Sequence, residues 1–160
     1  MKALSLWQPW ASAMALGLKS IETRGWSSAY RGPLAIHAAK RWTREEREFL
    51  EDMRDLGRFP QDEHHLPFGA IVAVGMLRDI RRTEQVASQL TDLEESWGNY
   101  GPHRYGWIFQ ELRPLPEPIP FRGAQGFFDV PDELFAEGYW APPAQRAGNP
   151  APPRQGALVL

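Results

Sequence analysis

The amino-acid sequence predicts an α+β fold, namely a small, mostly antiparallel β-barrel decorated by two or three helices. Short segments with strand periodicity are separated by helical segments of unequal length, without the regular strand–helix alternation of a doubly wound sheet. The chain has 160 residues, of which 42% are hydrophobic, and this size suits one core. A single barrel domain is therefore the expected architecture.

The first 40 residues contain three predicted strands and one helix. Residues 3–7 alternate well enough for a short strand, and Pro9 suits the first position of a helix, where its missing N–H costs nothing. This helix is expected to end at Gly17, because glycine readily adopts the left-handed conformation of a helix terminus. Residues 20–24 and 33–38 are the next two predicted strands.

A capping box predicts the second helix. Thr43 is followed three residues later by Glu46, whose side chain can accept a hydrogen bond from the Thr43 backbone. The helix is expected to run to about Leu56 and to lie on the surface, since most of its residues are polar. Its inward face is predicted to consist of Phe49, Leu50 and Met53.

The middle of the chain holds the longest apolar run. Residues 69–77 are almost continuously apolar and predict a central strand that is buried on both faces. Residues 81–97 look helical, in one or two pieces, with Thr83 as a candidate cap. Residues 104–112 alternate aromatic with other side chains, as a strand does. Residues 114–120 include four prolines and are expected to stay out of the interior of a β-ladder.

The sequence predicts a boundary between a folded domain and a C-terminal tail after residue 136. A closing strand over residues 127–130 and a helical turn over residues 131–136 complete the predicted domain, which spans residues 1–136. Residues 137–160 are rich in proline and poor in acidic residues, so they are predicted to form a disordered tail.

Composition narrows the possible functions. The chain has no cysteine, which excludes disulfides and thiolate metal sites. The net charge is −2, which argues against coating nucleic acid through bulk electrostatics, but seven basic residues and one acid precede residue 45. A local anion-attracting face is expected.

The Asp62–His65 cluster does not suit a metal, because adjacent histidines of an extended chain point in opposite directions. We expect neither metal nor cofactor.

No segment has the features of a secretory signal, and no apolar run is long enough to cross a bilayer. These observations predict a cytoplasmic protein that does not contact membranes. The oligomeric state is left open.

Residues 17–24 contain a concentrated group of charges in the pattern G-x-K-x-x-E-x-R. In a strand, Glu22 and Arg24 lie on the same face, whereas strict alternation would turn Lys19 to the other face. Because Lys19 directly follows the predicted helix end at Gly17, we expect the turn to direct its side chain toward Glu22 and Arg24.

Six motifs in the same order resemble those of ASCH domains, small barrels of the PUA-like superfamily. The similarity runs from about residue 4 to residue 130 and implies a PUA-like barrel, in agreement with the pattern of elements. The motifs are Ser5 to Trp10, the Gly17/Lys19/Glu22/Arg24 pattern, Arg31 to Ala38, Gly69 to Gly75, Tyr105 to Trp107, and Pro120 to Phe128.

The resemblance implies an RNA-binding module in which Lys19, Glu22 and Arg24 line a cleft. A lysine and an arginine beside a carboxylate suit an anionic or polar ligand. Tryptophans near the motif could stack on a base, with core packing as the alternative. The predicted ligand is single-stranded RNA, a nucleotide or a modified nucleoside. The predicted ligand-binding residues are Trp10, Lys19, Glu22, Arg24, Trp26, Arg31, His37 and Lys40.

A hydrolase is the alternative. A metal-independent ribonuclease could use Lys19, Glu22 or His37 as catalytic groups. A modified-nucleoside amidohydrolase is a weaker alternative, because that branch of the family pairs the motif lysine with a hydroxyl residue three positions later. Glu22 occupies this position, and Thr23 is expected on the opposite face. An interaction module that contacts no nucleic acid also stays open.

Overall fold

The computed structural model describes residues 1–136, and these form one mixed sheet with short helices around it. The α-helices are α1 (Trp10–Ala15), α2 (Arg44–Asp55), α3 (Thr83–Val86) and α4 (Asp92–Ser96). The strands are β1 (Lys2–Leu6), β2 (Ile21–Arg24), β3 (Gly32–Ala38), β4 (Ala70–Arg82), β5 (Tyr105–Pro120) and β6 (Phe127–Asp129). Short 3₁₀ turns cover Glu63–His65, Ala87–Gln89 and Asp132–Leu134.

The strand order across the sheet is β2-β5-β4-β3-β1-β6. Strand β1 runs parallel to β3, and every other neighbouring pair is antiparallel. The central strand β4 is buried from Ala70 to Gly75, as its continuous apolar run predicts. The α+β, mostly antiparallel architecture is thus confirmed.

Aromatic contacts bring the two edges of the sheet together. Trp26, which follows β2, lies edge-on to Phe127 of β6 at a ring-centroid distance of 5.7 Å. Trp107 of β5 contacts both rings, at 4.6 and 5.6 Å, and donates a hydrogen bond from Nε1 to the carbonyl oxygen of Trp26 at 3.1 Å. Trp107 is fully buried. The sheet therefore curls into a barrel-like shape around these rings.

The predicted end of α1 and the predicted start of α2 are both confirmed. Gly17 has φ of 73° and ends α1 with the two hydrogen bonds of a Schellman motif, from Gly17 N to Met14 O (3.1 Å) and from Leu18 N to Ala13 O (2.9 Å). Helix α2 begins after its N-cap Thr43, which forms the predicted capping box with Glu46 in the first turn. Pro9 differs slightly from the prediction, because it caps α1 rather than forming its first residue.

Two strands are longer than predicted. Strand β4 continues to Arg82, so the helical prediction for residues 81–97 is wrong at its start and holds only for short pieces from Thr83 to Ser96. The reason is tertiary, since Arg81 and Arg82 pair with Gly106 and Tyr105 of β5.

Strand β5 was expected to end at Leu112 but continues through the prolines to Pro120. Pro114 and Pro120 pair with Ala73 and Ala70 of β4. The other neighbour of β5, strand β2, pairs only with residues 105–108, so this part of β5 has a partner on one side. A proline, which lacks an N–H donor, is tolerated at such an edge.

Two further predictions concern membrane-spanning segments and the C-terminal tail. No helix within residues 1–136 is long and apolar enough to span a membrane. The predicted tail, residues 137–160, lies outside the described residues.

Candidate nucleic-acid interface

A cleft of about 810 Å³ opens beside the charged motif, and we call it the first cleft. It is bounded by the ends of β1 and β2, by α1 and by the segment after α4. Its charged residues are Lys19, Glu22, Arg24 and Arg104, and its large aromatic residues are Trp7, Trp10, Trp26, Phe49 and Trp97. Trp10, Lys19, Glu22, Arg24 and Trp26 are thus brought together as the sequence predicts.

The turn after α1 directs Lys19 into the cleft wall. Lys19 Nζ lies 3.3 Å from Glu22 Oε2 and donates a hydrogen bond to the carbonyl oxygen of Ile21. The side chain is only 1% exposed. The predicted redirection of Lys19 toward Glu22 is confirmed. An ammonium group has three donors, so Lys19 retains capacity for a ligand acceptor beside these two contacts.

Glu94 of α4 holds the segment that follows Lys19. Its carboxylate accepts hydrogen bonds from the backbone N–H groups of Ser20 and Ile21, at 2.9 Å each, and from the Ser20 hydroxyl at 2.9 Å. Sequence reasoning missed Glu94, because nothing near it in the chain marks a carboxylate that caps the start of a distant strand.

Arg24 links the motif to β1. Its Nη2 donates to the carbonyl oxygen of Ser5 at 2.6 Å, and its Nε lies 3.4 Å from Glu22 Oε1. The contact between Arg24 Nε and Glu22 is an ion pair that lacks the geometry of a hydrogen bond. Nε therefore has no hydrogen-bond partner in the described part of the chain. The indole Nε1 of Trp97 is also buried without a partner. Unpaired buried donors cost free energy and are often retained at functional sites.

The first cleft carries an excess of positive charge. Arg104 donates to the carbonyl oxygens of Asn99 and Thr23, each at 3.2 Å, and the structure gives it no acidic partner within residues 1–136. Three cations therefore face one carboxylate, Glu22. Arg104 was not predicted, although it directly precedes the aromatic strand motif of residues 105–107.

The aromatic wall combines fixed and exposed rings. Trp10 stacks on Phe49 at 4.7 Å, and Phe49 lies edge-on to the fully buried Trp97 at 5.6 Å. Trp7 is 48% exposed, and the guanidinium group of Arg41 lies 3.8 Å from the centre of its ring. One face of Trp7 is thus covered by a cation, which leaves the opposite face for another planar group.

His37 and Lys40 lie in a different cavity, of about 820 Å³, which we call the second cleft. Arg122 also lines it. Both clefts share Ser5, Trp7, Ala124 and Gln125 as lining residues, so they adjoin along this wall. The sequence placed His37 and Lys40 with the motif, whereas the structure places them beyond Trp7.

The environment of His37 fixes its hydrogen bonds. Its Nε2 lies 2.9 Å from the carbonyl oxygen of Phe121 and its Nδ1 lies 2.9 Å from the Ser5 hydroxyl. Because a carbonyl only accepts, we assign the ring proton to Nε2, and Nδ1 then accepts from Ser5. Burial lowers the pKa of His37 more than the bond to Phe121 raises it. His37 is 2% exposed and both ring nitrogens have partners, so a proton would pass between the ring and a ligand through the Ser5 hydroxyl.

Two predicted features lie elsewhere. Arg31 is among the lining residues of neither cleft, because its Nη2 pairs with Asp79 at 3.2 Å and its Nη1 donates to nearby carbonyl oxygens. In the Asp62–His65 cluster, His65 Nδ1 contacts Asp62 Oδ1 at 2.7 Å, and Glu63 accepts from Trp42. Within residues 1–136, no three potential ligands converge as a metal site.

Comparisons with known proteins bear on the whole fold. The ASCH domain family model matches residues 4–116. The solved structure of ASCH from Zymomonas mobilis is 17% identical, covers 82% of this chain and 88% of that chain, and has a TM-score of 0.50. A point mutant of the same protein is 16% identical and also has a TM-score of 0.50. This match covers 82% of this chain and 91% of the mutant chain. At this identity the likeness concerns the fold. No curated protein sequence matches significantly.

Proposed function

The chain belongs to the ASCH domain family, which is generally linked to RNA binding, and on this premise we propose that the first cleft binds single-stranded RNA or a nucleotide. One observation carries the proposal. Three cations and one carboxylate line a cleft to which five large aromatic side chains also contribute. Cations suit phosphate, and aromatic rings suit the faces of unpaired bases.

The individual side chains have distinct uses in this proposal. Arg24 and Arg104 supply planar guanidinium groups for phosphate oxygens or base edges, and Lys19 supplies a point charge that its neighbours hold in place. Glu22 is 13% exposed and can accept a hydrogen bond from a base amino group. Among the aromatic residues, Trp7 has the exposure needed for stacking, while Trp10, Phe49 and Trp97 shape the wall.

Single-stranded nucleic acid fits this cleft better than a duplex. Bases of a duplex are stacked on each other and present only their edges, whereas the cleft offers ring faces beside cations. The net charge of −2 also disfavours the extended basic surface that duplex binding needs.

The test is a titration of a short labelled single-stranded RNA, read by fluorescence anisotropy at two salt concentrations. We expect saturable binding, with Lys19→Met reducing affinity about tenfold or more, because a hydrogen bond to a charged group contributes ~1.5–3 kcal/mol. Methionine keeps most of the buried side-chain volume, and a thermal melt of the variant shows whether the fold is retained.

Arg31→Gln is the matched control. It removes one positive charge from a residue that the sequence assigned to the ligand but the structure places outside both clefts. We expect its affinity to stay near that of the unmodified protein. If Arg31→Gln weakens binding as strongly as Lys19→Met, the ligand does not occupy the first cleft.

Metal-independent cleavage of RNA is the second candidate function, and the Ser5–His37 contact favours it. Ser5 lines both clefts, and its hydroxyl donates to a histidine that burial keeps neutral. A hydroxyl that donates a hydrogen bond to a neighbouring base is the arrangement of an activated nucleophile. His37 would thus act through Ser5, in place of the direct role expected from the sequence. A denaturing gel of the titrated samples tests this. Shortened products that persist in EDTA and disappear in Ser5→Ala would establish a ribonuclease.

The amidohydrolase alternative gains no support from the geometry around Lys19. The Thr23 hydroxyl accepts a hydrogen bond from Asn99 N at 3.2 Å, and the Ser20 hydroxyl donates to Glu94. Both hydroxyl groups near the lysine therefore have other partners, and Glu22 occupies the position three residues after it.

A further inference from the structure

We propose that the ligand is an oligonucleotide of at least two nucleotides, which crosses Trp7 so that a phosphate next to the bound nucleotide lies in the second cleft, against Lys40 and Arg122. This inference rests on the proposed function of the first cleft and extends it. It distinguishes a polymer from a single nucleotide, the two ligands proposed for the first cleft.

The second cleft is positively charged, and this charge is the main support for the inference. Lys40 and Arg122 both line it, both are exposed, and neither has an acidic partner within residues 1–136. None of the described lining residues is acidic. His37, the remaining titratable lining residue, is buried and held neutral, so it neither adds to nor opposes this charge. The cavity therefore presents two uncompensated cations to an anion.

The backbone that carries these cations is fixed. On one side of Arg122, Phe121 N donates to Gly69 O at 3.0 Å and Phe121 O accepts from His37. On the other side, a Cβ at Gly123 would lie 2.5 Å from His37 Cε1 and 2.6 Å from Ser5 Oγ, so this backbone packs directly on that pair.

The stem of Lys40 is held in a similar way. A Cβ at Gly69 would lie 2.6 Å from Lys40 Cε, so the methylene groups of the lysine lie against the glycine backbone. Less conformational entropy is then lost when the ammonium group binds an anion than for a lysine that extends freely into solvent.

Trp7 connects the two clefts. It lines both cavities and is 48% exposed. Its ring is held by Arg41, which donates from Nε to the buried Glu46 at 2.6 Å. A base can stack on such a pre-positioned ring, while the sugar–phosphate backbone continues from one basic cavity to the next. Two basic cavities joined by an aromatic residue are the arrangement that a single strand needs.

The test compares a nucleoside 5′-monophosphate, a nucleoside 3′-monophosphate and a six-nucleotide single strand of the same base as ligands for the full chain. We expect the six-nucleotide strand to bind at least about tenfold more tightly than either monophosphate. In Lys40→Gln/Arg122→Gln, this advantage should be lost, and the slope of log affinity against log salt should become shallower by roughly 0.7 to 1.4.

Arg54→Gln/Arg58→Gln is the matched control, since it also removes two cations without acidic partners in the described chain, and both lie outside the two clefts. We expect this control to retain the advantage of the longer strand. Both double variants change surface or partly exposed side chains, and thermal melts show whether either loses stability.

The outcomes separate this inference from the proposed function. If the unmodified protein binds none of the three ligands, the proposed function itself fails. If it binds the strand and the monophosphates equally, and Lys40→Gln/Arg122→Gln changes nothing, the first cleft binds a single nucleotide and the inference is wrong. If one monophosphate binds as tightly as the strand and the double variant weakens the binding of both, the second cleft holds the terminal phosphate of a mononucleotide. This result would also show that the inference of an oligonucleotide ligand is wrong.

Discussion

At the scale of single residues, the site depends on polar side chains held by backbone groups. Lys19 contacts the Ile21 carbonyl, Arg24 the Ser5 carbonyl, and His37 the Phe121 carbonyl. Backbone partners hold these side chains in one geometry without neutralising their charge. Because Glu22 pairs with both Lys19 and Arg24, these three residues retain one net positive charge for a ligand, while the histidine is kept uncharged by burial.

The lowered pKa of His37 predicts how stability depends on pH. The unfolded chain takes up a proton near the ordinary value of about 6.5, while the folded chain resists this uptake. The unfolded state therefore binds more protons just below that pH, so the contribution of His37 is fully present above about 6.5 and is lost as the pH falls toward the folded value.

Urea unfolding between pH 5 and pH 8 measures this effect. We expect the free energy of unfolding to fall below pH 6.5 in the unmodified protein and to fall less in His37→Gln, whose side chain can still donate to the Phe121 carbonyl. Identical pH profiles for the two proteins would contradict the assignment of a buried, neutral His37.

At the scale of elements, the end of α1 places the motif. The Schellman motif reverses the chain at Gly17 and Leu18, and Lys19 follows immediately, so its side chain joins the face of β2 that carries Glu22 and Arg24. Glu94 of α4 then anchors the next two residues. The helix end and the start of the strand together determine where the lysine lies.

Gly17→Ala tests this role. Gly17 has φ of 73° with open space around it, so alanine is strained there by its backbone conformation alone. We expect the free energy of unfolding to fall by about 1 kcal/mol, and RNA affinity to fall as well, because Lys19 is displaced. Denaturant unfolding and the anisotropy titration measure the two effects.

Gly57→Ala is the control for this prediction. Gly57 ends α2 with φ of 68°, also with no atoms close enough to contact a new Cβ, and it lies outside both clefts. A similar loss of stability with unchanged affinity is expected. Equal losses of affinity in both variants would show that binding follows global stability rather than the position of Lys19.

At the scale of the whole molecule, closure of the barrel by side chains creates the first cleft. Strands β2 and β6 are the two edges of the sheet, and Trp26, Trp107 and Phe127 join them without a β-ladder. Arg24 adds a hydrogen bond from the end of β2 to β1. The cleft lies along this seam, so its shape depends on aromatic packing.

Trp107→Phe is expected to destabilise the protein by roughly 1.5–3 kcal/mol, because it leaves a cavity and removes the hydrogen bond to the Trp26 carbonyl. Trp7→Phe makes the same substitution at an exposed ring and should change stability by no more than about 0.5 kcal/mol. Chemical denaturation measures both. Equal effects of the two substitutions would show that Trp107 does not stabilise the closed barrel.

Much of this architecture could be predicted from local sequence signals. The capping box at Thr43, the glycine at the end of α1 and the buried strand from residue 70 all depend on residues within a few positions of each other. The predictions that proved wrong concerned where strands β4 and β5 end. Arg81 and Arg82 extend β4, and the prolines after Leu112 extend β5, because a neighbouring strand supplies the pairing that local propensity does not indicate.

The sequence by itself determined the fold class, the family and the charged motif, since periodicity, caps and motif order are properties of contiguous residues. Only the tertiary structure decided which distant side chains share a cavity. Arg104 and Trp97 join Lys19 in the first cleft, while Lys40 and Arg122 meet in the second. The physical reason is that strand register and barrel closure bring these residues together, and both depend on pairing and packing between segments far apart in the chain.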